Sequence, residues 1–553
     1  MMPDISWPSL YSAPTDELRS QVFSIIADAN RAVRGGDVDD PEVLAIVPRL
    51  WDLIENRQEL ASYRELVSSF ARSCGLWNYI DRQHSDDRDA FIASAVTMPE
   101  LDGLTLHREQ INALNTLLSG RNLILSAPTS FGKSILIDAL IASGRFHAIA
   151  IIVPTIALLD ETRRRIFRRF GSAFQVIMYS EDVVSSGDVI FLGTQERLIN
   201  RRDIRSLDLL VVDEFYKLDP NRQDERSVTL NSAVYRLLKV SHQFFFLGPN
   251  IENVRVAGNA RWKFDFLHTR FSTVAVNTFD LRGEPNKEAR LISEATSPTN
   301  LPALCFASSP DRANTLALDF VRAGVKVGDG AALSDWIDEN FGVGWEVSTA
   351  IAQGVGVHHG RIPRALAARL VYQFNQGSVP VLICTSTLIE GVNTAAKSVL
   401  IYDKQINRKD YDFFTYSNIR GRAGRLGQHH VGNVYLFHEE PERTETEVSA
   451  PLFDDLDDAP DDMLVYLDED DQTDQSSARL QALENELDLE PEELRTASRI
   501  GLDKAAALQR VVLQSFGRDG RLNWSGYPTF DNLAVICEIV SRVENVRNYG
   551  LGS

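Results

Sequence analysis

Cysteine is scarce in this 553-residue chain: Cys74, Cys305, Cys384 and Cys537 lie far apart, with no C-x-x-C pair. That argues against a disulfide framework and against a zinc module of paired thiolates, and it fits a reducing cytoplasm. Long apolar runs are missing too. The best one, Ala148 to Leu159, is short and broken by Pro154, and the N-terminus has no signal-peptide-like apolar stretch, so no membrane association is expected. Positive charge is in deficit, with a formal net charge of −20 that looks hostile to a polyanion. Yet Glu439 to Asp474 holds 16 acidic residues against the single Arg443, and the rest of the chain carries only −5. Hydrophobic residues at 44% and aromatics at 9% are ordinary for a globular protein. The length allows three or four domains at roughly 100 to 200 residues each.

The pattern changes along the chain. Residues 1–100 show helical periodicity in LRSQVFSIIADANRAV, PEVLAIVPRLWDLI and ELASYRELVSSFARSCGLW, which predicts an N-terminal helical domain. From about Leu104, short apolar runs alternate with helix-length segments: NLILSA, AIAIIV, FQVIMY, DVIFLG, LDLLVVDE and QFFFLG. Strands buried on both faces of a parallel sheet read this way. A second series follows in ALCFAS, GVGVHHG, PVLICTS, SVLIYD and GNVYLF. Two α/β domains in tandem are expected, over 101–275 and 276–438. Residues 439–476 read as an acidic linker by composition, and 477–553 as a short helical C-terminal segment.

Three elements carry phosphate chemistry. APTSFGKS, Ala127 to Ser134, falls between a strand and a helix, where backbone N–H groups and a helix N-terminus would face phosphate. Lys133 would reach the β- and γ-phosphates and the Ser134 hydroxyl would ligate Mg²⁺, although Ala127 replaces the first glycine of the strict pattern. LDLLVVDEFYK ends an apolar strand in Asp213 and Glu214, placed to hold the Mg²⁺ shell and to take a proton from attacking water, respectively. NIRGRAGRLG sets Arg422 and Arg425 three apart, on one face if helical, where two guanidiniums would stabilise a transferring phosphoryl group. A solvated basic turn is the bland alternative for this third element.

In this order and spacing, the motifs resemble superfamily 2 helicases of the Superkiller-like, DExH-box branch, over about Leu104 to Phe437. The resemblance implies two RecA-like domains, ATP and Mg²⁺ as cofactors, and a nucleic-acid strand as partner. It implies an adenine-reading role for Gln110 in LHREQINAL, and nucleotide contacts from Thr129, Ser130, Gly132, Lys133, Ser134 and Gly391. It further implies strand contacts from Pro154 and Thr155, from Arg163, from Gly193 and Thr194, and from His359 and Thr387 in the second domain. GVGVHHG and CTSTLIEGVN carry that second-domain likeness. The chain departs from the family pattern at Tyr216, where D-E-x-H has histidine, and at Gly248-Pro249-Asn250, where S-A-T is usual. It departs again at Asn418, where glutamine is usual. Tyr216, Asn250 and Asn418 are therefore the candidate coupling residues. TSFGKS is also similar to helicase subunits of Hachiman-type bacterial defence systems, which implies an effector partner such as a nuclease.

Two function classes remain open at this point. One is a helicase or translocase stepping 3′ to 5′ along single-stranded or forked DNA or RNA. The other is a nucleic-acid-sensing ATPase switch that controls a partner without processive unwinding. Of Arg163, Arg164, Arg165, Arg168 and Arg169 on one helix, two are assigned to the strand and the others to a solvated face. The acidic run has two readings, a solvated linker or a mimic of nucleic acid lying over the basic groove.

Overall fold

The computed structural model describes residues 5–543 apart from 180, 186, 223–225, 259, 390–393, 395, 407, 455, 456, 458, 518 and 519. Helices α1 (Thr15–Arg34), α2 (Ile46–Asn56) and α3 (Arg64–Cys74) pack Leu18, Val22, Leu50, Leu53 and Phe70 into one buried cluster. These residues recur at helical spacing, so each helix turns a single apolar stripe inward. Phe271 belongs to the same cluster, which ties the helical domain to the crossover between the α/β domains.

In the first α/β domain, β1 (Leu123–Ser126), β2 (Ala148–Ile152), β3 (Gln175–Ile177), β4 (Val189–Gly193), β5 (Leu207–Asp213), β6 (Ser241–Gly248) and β7 (Asp265–His268) form a sheet in the order β7-β1-β6-β5-β2-β4-β3. All neighbours are parallel. Helices α4 (Arg108–Leu118), α5 (Lys133–Ala142) and α6 (Ile156–Phe170) cover one face, over Leu125, Ile151, Val211 and Phe245. Helix α7 (Ser227–Leu238) covers the other, over Phe244 and Phe246. The second domain repeats the plan with β8 (Ala275–Asp280), β9 (Ala303–Phe306), β10 (Val355–His358), β11 (Val381–Cys384), β12 (Ser398–Ile401) and β13 (Val431–Leu436), ordered β8-β13-β12-β9-β11-β10, again all parallel. Its helices α8 (Arg364–Gln376) and α9 (Phe413–Arg420) bear on the site below. Among the described residues, no helix is long and apolar enough to cross a membrane.

Among the described residues of 439–476, read from composition as a solvated linker, the part from Glu447 onward is instead packed against the first domain. Glu447–Val448 pairs in parallel with Asn253–Val254. Phe453 is buried, with its ring 6.1 Å from Phe244, 5.8 Å from Phe246 and 4.9 Å from Phe264. Met463, Leu464 and Leu467 continue that core, and helix α10 (Asp474–Leu487) adds Leu480 and Leu487. One of the segment's acids is held by three partners: Asp471 accepts from Tyr235 at 2.6 Å and from Lys239 at 3.0 Å, and pairs with Arg261. Composition misread this stretch because its sparse apolar residues are placed at the inward positions. We expect Phe453→Ala to cost about 3–5 kcal/mol in urea-induced unfolding, as a buried aromatic does. A shift below about 0.5 kcal/mol would mark a surface residue. The last helix, α11 (Phe530–Val543), forms its own small cluster with Leu508, Val511, Val512 and Leu522.

Candidate functional site

Register explains why the chemistry collects at one edge. Ser126 is level with Gly248, and Leu247 with Asp213, so β1, β6 and β5 all end at the same height. The loops leaving them share the crevice beyond the strands' carboxyl ends, where ligands of open α/β sheets bind. The loop after β1 turns through Thr129–Phe131 and reaches α5 by way of Gly132 at φ +80°. A side chain at Gly132 would be strained there, and its Cβ would stand 2.8 Å from Gln110 Nε2 and 2.9 Å from Ile135. Gln110 is buried: its amide donates to the Phe131 carbonyl at 3.0 Å, and its Oε1 accepts from the His107 N–H at 3.1 Å. In this structure Gln110 braces the phosphate loop.

Lys133 Nζ donates to the carbonyls of Ala127 at 2.8 Å and Pro128 at 3.1 Å. Burial pulls its pKa down, while the Glu214 and Asp213 carboxylates oppose the shift. Burial pushes both carboxylates up. For Glu214 the neighbouring Asp213 adds to this, and Lys133 and Arg422 counteract it. Glu214 itself sits at φ +55°, and its N–H donates to Asp213 Oδ1 at 2.9 Å. A non-glycine residue held in that region is a sign of a functional constraint. Ser134 stands beside Lys133 at the start of α5, its carbonyl accepting from Arg165 at 2.6 Å. Arg165 and Arg169 both pair with the fully buried Asp138, so these arginines hold α5 in place.

The second domain closes the cleft. A Cβ on Gly421, just past α9, would lie 2.2 Å from Thr129 Oγ1, so the two domains touch at the phosphate loop. Arg422 follows, its pKa lowered by burial and raised most by Glu214. Asn250, after β6, has φ +49°, and its Nδ2 donates to Asn418 Oδ1 on α9 at 3.1 Å. The Tyr216 ring meets Phe414 of α9 edge-on at 4.8 Å, and the Arg222 guanidinium lies 4.4 Å from the Phe414 ring and 5.4 Å from that of Tyr216. The three candidate coupling residues therefore all reach the interface between the domains. Arg222 was missed from sequence because no motif flags it. Ser130 was assigned to the nucleotide alone, yet Thr273 Oγ1 in the crossover donates to its carbonyl at 2.7 Å.

Arg425 is separated from Arg422. It lines a groove of about 990 Å³ between α6 and α8, together with Arg163, Arg164, His359 and Thr387. Arg163 and Arg164 share Asp160, at 2.9 and 2.6 Å. His359 Nε2 lies 3.2 Å from Asn314 Oδ1, and Thr387 Oγ1 lies 3.2 Å from Thr385 Oγ1. Pro154, Gly193 and Thr194 are buried at strand ends, and Thr155 caps α6 by accepting from the Leu158 N–H at 3.3 Å. Gly391 lies outside the described residues.

The site's residues fit a nucleotide with its cation. Thr129 Oγ1 and Glu214 Oε2 are buried with no hydrogen-bond partner, a cost of about 1–3 kcal/mol each that a bound polar group would relieve.

Comparison with known proteins agrees with this geometry. Residues 107–247 match the DEAD/DEAH box helicase family, and residues 347–427 match the helicase conserved C-terminal domain. The chain is 37% identical over 413 residues to Anti-bacteriophage protein B of Escherichia coli (strain K12), covering 72% of this chain and 57% of that protein. It is 24% identical over 363 residues to the ATP-dependent DNA helicase Hel308 of Thermoplasma acidophilum, covering 60% and 52%. It is also 24% identical to mouse DNA polymerase theta, over 60% of this chain and 16% of that protein. The chain thus spans a little over half the length of the first and second of these relatives. With Lys133, Asp213 and Glu214 in the first matched region and Arg422 and Arg425 in the second, this chain carries a DEAD/DEAH box helicase domain followed by a helicase conserved C-terminal domain.

Proposed function

We propose that this chain is an ATP- and Mg²⁺-dependent motor that moves along single-stranded or forked nucleic acid in the 3′ to 5′ direction. One observation supports this above the others: the two domains meet at the phosphate loop, where Asn250 Nδ2 of the first donates to Asn418 Oδ1 of the second at 3.1 Å and Gly421, next to Arg422, closely approaches Thr129. A cleft whose halves come from different domains links turnover to domain movement. In this reading Thr129, Gly132, Lys133 and Ser134 hold the phosphates, and Ser134 and Asp213 hold the cation, which when bound draws charge from the phosphate oxygens. Glu214 takes the proton of the attacking water on its free Oε2. Arg422 meets the charge that develops on the transferring group. The test is ATP turnover with single-stranded DNA, duplex DNA, forked DNA and RNA in parallel at two salt concentrations. Stimulation by none of them would sink the proposal.

Asn250 and Asn418 would carry the coupling in place of the usual hydroxyls. Asn250→Ala is expected to leave stimulated ATP turnover within a few-fold while strand displacement from a fork is lost. Equal loss of both activities would place Asn250 in the hydrolysis step. The second reading, a cytoplasmic switch that holds or releases an effector such as a nuclease, draws on the name of the Escherichia coli relative and assigns this chain to antiviral defence. Turnover on nucleic acid without displacement of any forked strand would favour it.

A further inference from the structure

The groove between α6 and α8 carries an aromatic ring on each domain that nothing in the phosphate chemistry uses. Tyr179, after β3, is 54% exposed, and Tyr372, on α8, is 48% exposed, and both line the groove. Each ring has an arginine over it: Arg197 lies 5.2 Å from the Tyr179 centroid and Arg369 lies 5.0 Å from that of Tyr372. Neither guanidinium has a carboxylate partner among the described residues, in contrast to Arg163 and Arg164, which share Asp160.

Tyr179 is also fixed in position. Its N–H and that of Met178 both donate to Asp182 Oδ2 at 2.9 Å, and its carbonyl accepts from Arg201 Nη1 at 2.5 Å. Tyr372 is fixed by the helix that carries it. Two half-exposed rings, each braced from one side by a cation, leave flat apolar surface turned to the groove. A phosphate backbone has no use for such surface, whereas an unstacked base does. A duplex hides its base faces, so the partner that satisfies both ring and guanidinium is a single strand, with its bases on the tyrosines and its phosphates near the arginines.

We propose that Tyr179 and Tyr372 are base-stacking platforms, one on each domain, which make the groove a reader of unpaired bases as well as of backbone charge. This rests on the nucleic-acid reading above. It predicts that the strand is gripped through its bases at two points whose separation changes as the domains move.

The full chain is titrated, by fluorescence anisotropy, with labelled 20-residue thymidine and uridine strands and with equally long strands in which abasic sites replace the bases. The base-bearing strand should bind at least about tenfold more tightly than its abasic counterpart, as stacking at two platforms supplies. The double variant Tyr179→Ala/Tyr372→Ala should erase most of that difference, while Tyr179→Phe/Tyr372→Phe should keep it. ATP turnover without nucleic acid should be unchanged in both variants, and equal melting temperatures exclude misfolding. Equal wild-type affinity for base-bearing and abasic strands, or an alanine pair that still discriminates fully, overturns the platforms and leaves the helicase reading intact. Failure of every strand to bind overturns both.

Discussion

Glu214→Gln is expected to lower nucleic-acid-stimulated ATP turnover by about 10² to 10⁴, the usual contribution of a positioned general base, with ATP binding kept within a few-fold. Lys133→Ala is expected to lose nucleotide binding and turnover together. The asymmetry follows from where the two groups stand. Lys133 is at the foot of the loop, its ammonium on the Ala127 and Pro128 carbonyls, and it would exchange those for phosphate oxygens in the ground state. Glu214 has a buried oxygen without a hydrogen-bond partner, and in the proposed role it would act only when water attacks. The measurements are nucleotide affinity by calorimetry and steady-state turnover with a stimulating strand. Near-normal turnover in Glu214→Gln would show that another group takes the proton.

The second large effect separates two arginines that the sequence could only pair. Arg422→Ala is expected to reduce turnover by about 10³ or more, as loss of a guanidinium aimed at the transferring phosphoryl group does. Arg425→Ala is expected to weaken strand binding and its salt dependence, with a smaller loss of turnover at saturating strand. The geometry behind this is that Arg422 follows Gly421, which packs against Thr129 of the phosphate loop, whereas Arg425 lines the groove with His359 and Thr387. Turnover measured against strand concentration distinguishes the outcomes: the Arg425 defect should recede as the strand is raised, and the Arg422 defect should persist. Equal, strand-independent losses would return both arginines to the phosphate.

Some of this was legible without coordinates. A strand ending in a glycine-rich turn before a helix, and a buried strand ending in two carboxylates, are local patterns whose physics acts within a few residues. Lys133, Asp213 and Glu214 could therefore be assigned roles from the chain alone. Six of the seven parallel strands of the first sheet and five of the six of the second were legible as apolar runs for the same reason, since a strand covered on both faces has no polar side to show; Asp265–His268 and Ala275–Asp280 are partly exposed and gave no such run.

What the sequence by itself determined was thus the two-domain plan and the candidate phosphate-handling groups, because each is written in contiguous residues with a fixed period or spacing. Tertiary structure alone decided which residues meet across long separations. Asn250 bonds Asn418, Arg222 inserts beside Phe414, and Phe453 fills the core over Phe244 and Phe246. The acidic segment shows why. Its charge dominates any average over the sequence, yet its place is set by a few apolar side chains that remove large areas from water, while Lys239, Tyr235 and Arg261 converge on its Asp471 carboxylate. Burial of apolar area and pairing of charge are properties of neighbours in space, and for Asp471 of the acidic segment two of those neighbours, Tyr235 and Lys239, are 236 and 232 residues away in sequence.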